Sequence, residues 1–296
     1  MEQVSKIQPP TPDESAPPVP ASSSSSKPTV LVKISVGILT AAVLAGFVYA
    51  YYSYTASRNA PISPSPTTSI PSSQEGIGRI VFGTDATFPP MEYLDEQGQL
   101  TGYDIELGQQ IAQELGISAE FKNIEWDRLF EDLLIYEIDA ILSSVTINSE
   151  RELQYDFSSP YINAGQVIIT QRVDTTIRTA ADLAGKRIAV QGGTTNETTA
   201  LEHTSDELVQ RYADFDLAAQ TLVAGQADAV ISDLTNAKGL IDSYPELKIA
   251  SDPITSDYYG IVFRPGESDL IESVNTALES LRQRGVLTQL QQKWLE

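Results

Sequence analysis

The stretch Asp139-Ala-Ile-Leu-Ser-Ser-Val-Thr-Ile-Asn-Ser-Glu-Arg-Glu152 contains the end of one structural element and the start of the next. Its apolar run at 140–142 predicts a buried strand. Small hydroxyl residues follow, and then Asn148 and Ser149, either of which can cap the N-terminus of a helix. A strand, a polar loop and a helix in this order form the repeating unit of an α/β fold.

Arg151 lies in the predicted first turn of that helix, where a cation opposes the helix dipole. The preceding loop carries hydroxyl groups at Ser144 and Thr146. A guanidinium offers two parallel donors and a helix start offers free backbone N–H groups, so the loop suits a small carboxylate. The alternative is a surface arginine whose charge is offset by Glu150 and Glu152. On this stretch alone, both interpretations remain open.

The alternation of strands and helices continues on both sides of this stretch. Strands are predicted at 80–84, 119–122, 140–143, 166–171, 187–191, 229–232 and 260–264, and helices at 100–115, 126–134, 180–183, 196–203, 217–224 and twice within 269–295. The βαβαβ order starts twice, which predicts two α/β lobes, each a mainly parallel sheet flanked by helices. Ligands of such sheets bind beyond the carboxyl ends of the strands.

Four further stretches lie in the same order and at the same separations as in a known family. They are Gly83-Thr-Asp-Ala-Thr-Phe-Pro-Pro90, Gly102-Tyr-Asp-Ile-Glu-Leu107 with Ile111-Ala112, Val190-Gln-Gly-Gly-Thr-Thr195 and Asp228-Ala-Val-Ile-Ser-Asp233. With the Arg151 stretch they resemble the family 3 extracellular solute-binding proteins, the amino-acid receptors of bacterial ABC importers. The resemblance covers 79–296 and implies a two-lobe, type II periplasmic-binding-protein-like fold with two crossover strands. Lobe 1 would comprise 79–170 and the return at 255–296, and lobe 2 would comprise 171–254.

The resemblance also implies a site for a free amino acid, with no catalytic residue, metal or cofactor. Arg151 would bind the α-carboxylate together with backbone N–H groups near Thr146 and Thr195. Asp233 would bind the α-ammonium, helped by the Thr146 hydroxyl and the Ser144 carbonyl. Without the family, Asp233 can equally be read as the N-cap of the next helix.

The remaining residues that the resemblance implies form a backbone turn that offers N–H groups to an anion, and a pocket for the ligand's side chain. Gln191 and Gly193 belong to a turn that allows close approach of the backbone and precedes a helix. Phe88 and Trp126 would enclose the ligand's aliphatic stem. Asp85 would select a cationic side chain or an amide, and would repel glutamate or aspartate. The expected ligands are therefore lysine, arginine, histidine, ornithine or glutamine.

The N-terminal quarter differs in composition from the rest. Residues 1–33 are rich in proline and serine and predict a disordered cytoplasmic leader. Residues 34–54 are apolar and uncharged and follow lysines, which favours a transmembrane signal-anchor with the large domain outside the cytoplasm. A secretory signal cleaved after Ala50 is the alternative. Residues 55–78 predict an extended linker.

Composition narrows the possible partners. The 296 residues carry a formal net charge of −21, which repels the phosphate backbone and argues against a nucleic-acid partner. There is no cysteine, so neither a disulfide nor a lipid-modified cysteine can be present. We expect a monomer that binds an amino acid and interacts with ABC permease subunits.

Two other functions are compatible with the sequence. A sensor would need a partner membrane protein, because the predicted leader is too short to signal alone. A dehydratase-like enzyme on the same scaffold would need an acid in the cleft, and Asp85 or Glu92 would serve. Glu92 also has two non-catalytic interpretations: it adds negative potential to the site, or it acts only as a capping residue.

Overall fold

The computed structural model describes residues 78–296. These residues belong to one compact unit. The predicted leader at 1–33, the anchor at 34–54 and the linker up to residue 77 lie outside the described residues. No helix within the described part has the length and apolar character needed to span a bilayer.

The described residues form strands and helices in alternation. The strands are β1 (Arg79–Thr84), β2 (Thr87–Phe88), β3 (Glu92–Leu94), β4 (Leu100–Thr101), β5 (Ser118–Asn123), β6 (Ala140–Ile141), β7 (Asp156–Phe157), β8 (Ile162–Ala164), β9 (Gln166–Gln171), β10 (Ile188–Gln191), β11 (Val209–Tyr212), β12 (Ala229–Asp233), β13 (Leu247–Ile249), β14 (Asp257–Tyr259) and β15 (Val262–Phe263). The α-helices are Tyr103–Leu115, Trp126–Leu134, Ser149–Glu152, Thr195–His203, Phe215–Val223, Leu234–Ser243, Ser268–Gln283 and Val286–Leu295. Short 3₁₀ helices lie at Ala180–Leu183 and Asp206–Leu208.

Two five-stranded sheets form the centres of two lobes. The first has the order β5-β1-β6-β15-β7, and the second has the order β11-β10-β12-β9-β13. In the first sheet β1 pairs in parallel with β5 and β6, whereas β15 is antiparallel to β6 and β7. In the second sheet β10 pairs in parallel with β11 and β12, whereas β9 is antiparallel to β12 and β13.

Each sheet therefore has four strands in one direction, as the prediction of mainly parallel sheets requires, and one strand, β15 or β9, that runs against them. The cause is the path of the chain between the lobes. Strands β9 and β15 each directly follow a crossing from the other lobe, so each enters its sheet against the direction of its neighbours. The crossings themselves are β8 and β14, which pair in antiparallel fashion with Asn163 opposite Tyr258.

The helix Tyr103–Leu115 shows how sequence pattern determines packing. Its apolar positions recur at helical spacing, and Tyr103, Leu107 and Ile111 are fully buried. A Cβ on Gly108 would lie 2.6 Å from the ring of Phe121, so glycine lets the helix approach the sheet closely. The two C-terminal helices pack against the other side of this helix and complete the first lobe.

Candidate functional site

A cavity lies where the carboxyl ends of strands from both sheets meet. Its lining residues are Asp85, Phe88, Glu92, Trp126, Ser143, Ser144, Thr146, Arg151, Gln191, Thr194, Thr195, Asn196, Phe215 and Asp233. Of the residues predicted from sequence, all line this cavity except Gly193, whose carbonyl oxygen instead accepts a hydrogen bond from Trp126. The location agrees with the general position of ligand sites in α/β sheets.

Arg151 is held at one end of the cavity by the short helix Ser149–Glu152. The side chain of Asn148 caps this helix by accepting a hydrogen bond of 2.8 Å from the Arg151 backbone N–H. The guanidinium Nη1 donates to the carbonyl oxygen of Thr146 at 2.9 Å, and its Cζ lies 5.4 Å from the centre of the Trp126 ring. These contacts direct the guanidinium into the cavity and away from bulk water.

The charge of Arg151 has no carboxylate partner among residues 78–296. Burial lowers its pKa to about 10, and the carboxylate of Asp233 partly opposes this effect. A partly desolvated cation with free N–H donors favours an anion from outside the chain. This placement differs from that of a surface arginine, in which Glu150 and Glu152 would offset the charge.

Asp233 ends β12 and is buried at the opposite wall of the cavity. Its carboxylate accepts hydrogen bonds from the Tyr259 hydroxyl and from Asn196 Nδ2, the latter at 2.9 Å. Burial raises the pKa of Asp233, and these two hydrogen bonds oppose the shift. Although Asp233 occupies the N-cap position of the next helix, its side chain makes no capping hydrogen bond, so the carboxylate faces the cavity instead.

Asp85 follows β1 and connects the two lobes. Its carboxylate accepts hydrogen bonds from Thr87 Oγ1 at 3.0 Å and from Gln191 Nε2 at 3.1 Å. Gln191 belongs to the second sheet, so the latter bond crosses between lobes. Burial is the main cause that raises the pKa of Asp85, and the two side-chain hydrogen bonds lower it. A buried carboxylate of this kind gains most from a cationic or N–H donor group.

Aromatic rings form the apolar part of the cavity. The Trp126 ring closes the side next to Arg151, and Phe88 packs against Phe215 with ring centroids 5.5 Å apart. Phe215 comes from the second lobe and was not predicted as a site residue, and neither was Asn196. Nothing in the local sequence of either residue distinguishes a cavity-facing position from an ordinary helix start.

The hydroxyl loop after β6 supplies the remaining wall. Thr146 Oγ1 lies 3.3 Å from Thr195 Oγ1 of the other lobe. Ser144 adopts a left-handed backbone with φ of 51°, which is unfavourable for a residue with a side chain. Ser143 and Ser144 lie against two buried acids, Glu92 and Asp104.

The cavity therefore combines a cation, separate carboxylates, hydroxyl groups and aromatic walls. No group of His, Cys, Asp and Glu side chains in residues 78–296 is arranged to hold a metal ion. Opposite charges at separated points, with an apolar wall between them, are complementary to a small zwitterion rather than to a reacting bond.

A two-lobed α/β fold with such a cavity between the lobes is characteristic of solute-binding proteins. Residues 80–296 match the family model of the bacterial extracellular solute-binding proteins, family 3. The chain belongs to this family, as the sequence motifs predicted.

Three relatives illustrate the similarity. The L-cystine-binding protein TcyJ of Escherichia coli K12 is 33% identical over 219 residues, which cover 73% of this chain and 82% of that protein. The L-arginine-binding protein of Pseudomonas aeruginosa is 32% identical over 225 residues, which cover 72% of this chain and 86% of that protein. A solved ancestral arginine-binding protein bound to arginine is 36% identical with a TM-score of 0.71, covering 74% of this chain and 99% of that one.

Proposed function

We propose that this chain binds a polar or basic L-amino acid outside the cytoplasm and delivers it to the permease subunits of an ABC transporter. The observation that carries the proposal is the pairing of two unmatched charges in one cavity. Arg151 has no carboxylate partner in the described residues, and Asp233 has no cationic partner there. The α-carboxylate and α-ammonium of a free amino acid satisfy both.

The side chain of the ligand is expected to lie toward Asp85. Once the zwitterion neutralises Arg151 and Asp233, the carboxylate of Asp85 is still available at the cavity wall. Asp85 also accepts a hydrogen bond from Gln191 of the second lobe. It favours a cationic group, or an amide that donates N–H, between the rings of Phe88 and Trp126. Lysine, arginine, histidine, ornithine and glutamine fit this description.

The names of the relatives agree with this substrate class. The proteins from Escherichia coli and Pseudomonas aeruginosa are named for binding cystine and arginine, and the ancestral structure contains arginine. All three are named as binding proteins, in agreement with the prediction that the chain is not an enzyme. We assign to Ser144, Thr146, Gln191, Gly193 and Thr195 the supporting hydrogen bonds that the family resemblance implies.

The proposed organisation of the whole chain follows the sequence analysis. A leader at 1–33 would remain in the cytoplasm, an anchor at 34–54 would hold the protein at the membrane, and a linker at 55–78 would carry the binding domain as a monomer outside the cytoplasm. The predicted lobe boundaries at 170 and 254 need one refinement, because strand Gln166–Gln171 belongs to the second sheet.

A calorimetric screen of the purified chain against the twenty amino acids and ornithine tests the proposal. We expect saturable binding of one or a few of lysine, arginine, histidine, ornithine and glutamine. A preference for glutamate or aspartate would contradict the assignment of Asp85 to the side-chain pocket. The absence of binding by any of these compounds would contradict the proposed function itself.

A further inference from the structure

Glu92 and Asp104 form a buried acid pair directly behind the hydroxyl loop. Their relative exposures are 1% and 0%, respectively. Glu92 Oε1 accepts a hydrogen bond of 3.1 Å from Ser143 Oγ, and Glu92 Oε2 lies 3.0 Å from Ser144 Oγ. Asp104 Oδ2 accepts from the Ser144 backbone N–H at 2.8 Å and from the Tyr161 hydroxyl at 2.9 Å. Both acids therefore accept hydrogen bonds from Ser144.

The pair has no cation to balance it. Neither carboxyl forms an ion pair with a Lys or Arg of residues 78–296. Asp104 Oδ1 is buried and has no hydrogen-bond partner among the protein's donors in that range. Two adjacent ionised carboxylates in the protein interior repel each other and lose their hydration, which favours keeping one proton between them.

The electrostatics indicate which acid holds the proton. Burial, followed by the charge of Asp104, raises the pKa of Glu92 well above its usual value. Burial raises the pKa of Asp104 to about 6, while hydrogen bonds from Ser144, Tyr161 and Glu92 lower it. The proton therefore favours Glu92, and Asp104, which accepts from the Ser144 N–H and the Tyr161 hydroxyl, favours the ionised form.

We propose that Glu92 and Asp104 share one proton and act together as a positioning element that holds Ser144 in its left-handed conformation at the ligand site. The inference rests on the proposed function, because Ser144 belongs to the loop that would face the ligand's ammonium. Its backbone N–H is fixed by Asp104, and its hydroxyl lies between the two acids. These bonds offset the cost of the positive φ.

This role differs from that of Asp85. A protonated Glu92 carries no charge, so it does not select a basic side chain. Its loss should instead weaken every amino acid to a similar extent, because the Ser144 loop faces groups common to all of them.

Other titratable and charged groups face the pair. Tyr103, Tyr161 and Tyr259 pack around it, and the positive charge of Arg282 lies near enough to favour ionisation of the Tyr103 hydroxyl. Asp85 donates its backbone N–H to Ser143 Oγ, and Asp233 accepts a hydrogen bond from the Tyr259 hydroxyl. Burial raises the pKa of all three tyrosines, so their hydroxyls stay neutral while the pair titrates.

The Glu92→Gln variant separates the proposed role from one that needs a charge. Its amide donates to Asp104 and accepts from Ser143, as protonated Glu92 does. We expect affinity within about threefold of wild type at neutral pH, whereas Glu92→Leu, which cannot form these bonds, should lose roughly tenfold or more for every bound amino acid. Glu96→Gln, at an exposed position in the same segment, is the matched control.

The pH dependence supplies a readout that a purely structural role would not give. Wild-type affinity should fall as rising pH removes the shared proton, whereas the affinity of Glu92→Gln should change less over the same range. The proposal is overturned if both proteins have the same profile, or if Glu92→Gln loses tenfold at neutral pH while Glu96→Gln does not.

Infrared spectroscopy of the full-length chain without ligand tests the proton itself. The carbonyl stretch of a protonated carboxylic acid should be present at neutral pH in wild type and in Glu96→Gln, and absent in Glu92→Gln. A wild-type protein that binds amino acids but lacks this band would overturn the shared proton. A protein that shows the band but binds no amino acid would support the shared proton and overturn the proposed function.

Discussion

The indole Nε1 of Trp126 donates a hydrogen bond of 3.2 Å to the carbonyl oxygen of Gly193 and thereby joins the first lobe to the second. The bond between Gln191 and Asp85 crosses the same cleft. The lobes are therefore closed over the cavity. A ligand that contacts both lobes stabilises this closed state by the difference between its affinities for the closed and the open form.

Trp126→Phe should weaken binding while leaving the fold intact. The ring is kept and the bond to Gly193 is lost, so we expect a loss of about 0.5–1.5 kcal/mol in binding free energy. Calorimetry measures the affinity. Trp294→Phe is the matched control, since its Nε1 donates to Glu106 at 2.8 Å within the first lobe. Equal affinity losses in the two variants would argue against a role for the indole in closure.

Gly239→Ala should hinder closure. A Cβ at this position would lie 2.7 Å from the carbonyl oxygen of Pro89 on the other lobe, whereas alanine is otherwise favoured over glycine within a helix. With saturating ligand, small-angle scattering should show compaction of wild type and a smaller change in the variant. Gly78→Ala, which would meet no atom within 4 Å, should behave as wild type. Identical compaction in all three proteins would contradict the proposed contact.

Arg151→Ala should abolish most amino-acid binding and retain the fold. Removing one member of a desolvated charge pair costs about 2–5 kcal/mol, or roughly 30-fold to several thousand-fold in affinity. Affinity and melting temperature should be measured together. Arg128→Ala is the control, because that side chain is 63% exposed and pairs with Asp132 on the surface. Near-normal affinity of the Arg151→Ala variant would contradict the assignment of Arg151 to the ligand site.

Asp85→Asn should alter specificity more than general affinity. A basic ligand loses a charged acceptor and should weaken by roughly tenfold or more. Glutamine should lose less, because the asparagine oxygen still accepts an N–H. Calorimetry with arginine, lysine and glutamine compares them. Equal losses for all ligands would indicate that Asp85 supports the site structurally, through its hydrogen bond with Gln191, without selecting the side chain.

The stabilisation contributed by Glu92 and Asp104 should decrease as pH rises from acidic to neutral values. An acid whose pKa is higher in the folded protein than in the unfolded chain binds its proton more tightly when folded, so stability is lost as pH rises between the two values. For Asp104 this interval extends from 3.8 to about 6, and for Glu92 it starts at 4.5 and extends upward. Thermal unfolding between about pH 4 and about pH 8 should show a smaller decline for Glu92→Gln than for wild type. A parallel decline in both would contradict the raised pKa of Glu92.

Local pattern was sufficient to predict much of the fold. The helix Trp126–Leu134 and the strand Gln166–Gln171 have the predicted bounds, and Asn148 caps the helix that carries Arg151. The direction of β9 and β15 was not predictable in this way, because an apolar run indicates burial and not orientation. Direction depends on where the chain crosses between lobes.

The candidate site was predictable only in part, for a related reason. Asp85, Arg151 and Asp233 each follow a strand or begin a helix, where ligand groups are expected. Phe215 reaches the cavity only because the second lobe closes against Phe88. The sequence left three roles open for Glu92, whereas the structure shows that it accepts hydrogen bonds from Ser143 and Ser144, in a loop about fifty residues away.

The side-by-side pairing of β8 and β14 makes the second lobe an insertion whose two ends are adjacent. A complete second lobe can therefore be exchanged at two neighbouring points of the chain without changing the path of the chain through the first lobe. Asp85 and Arg151 would stay with the first lobe, while Asp233 would travel with the second. If Asp85 and Asp233 have the roles proposed for them, recognition of the ligand's side chain and of its ammonium group depends on two parts of the chain that can be exchanged separately.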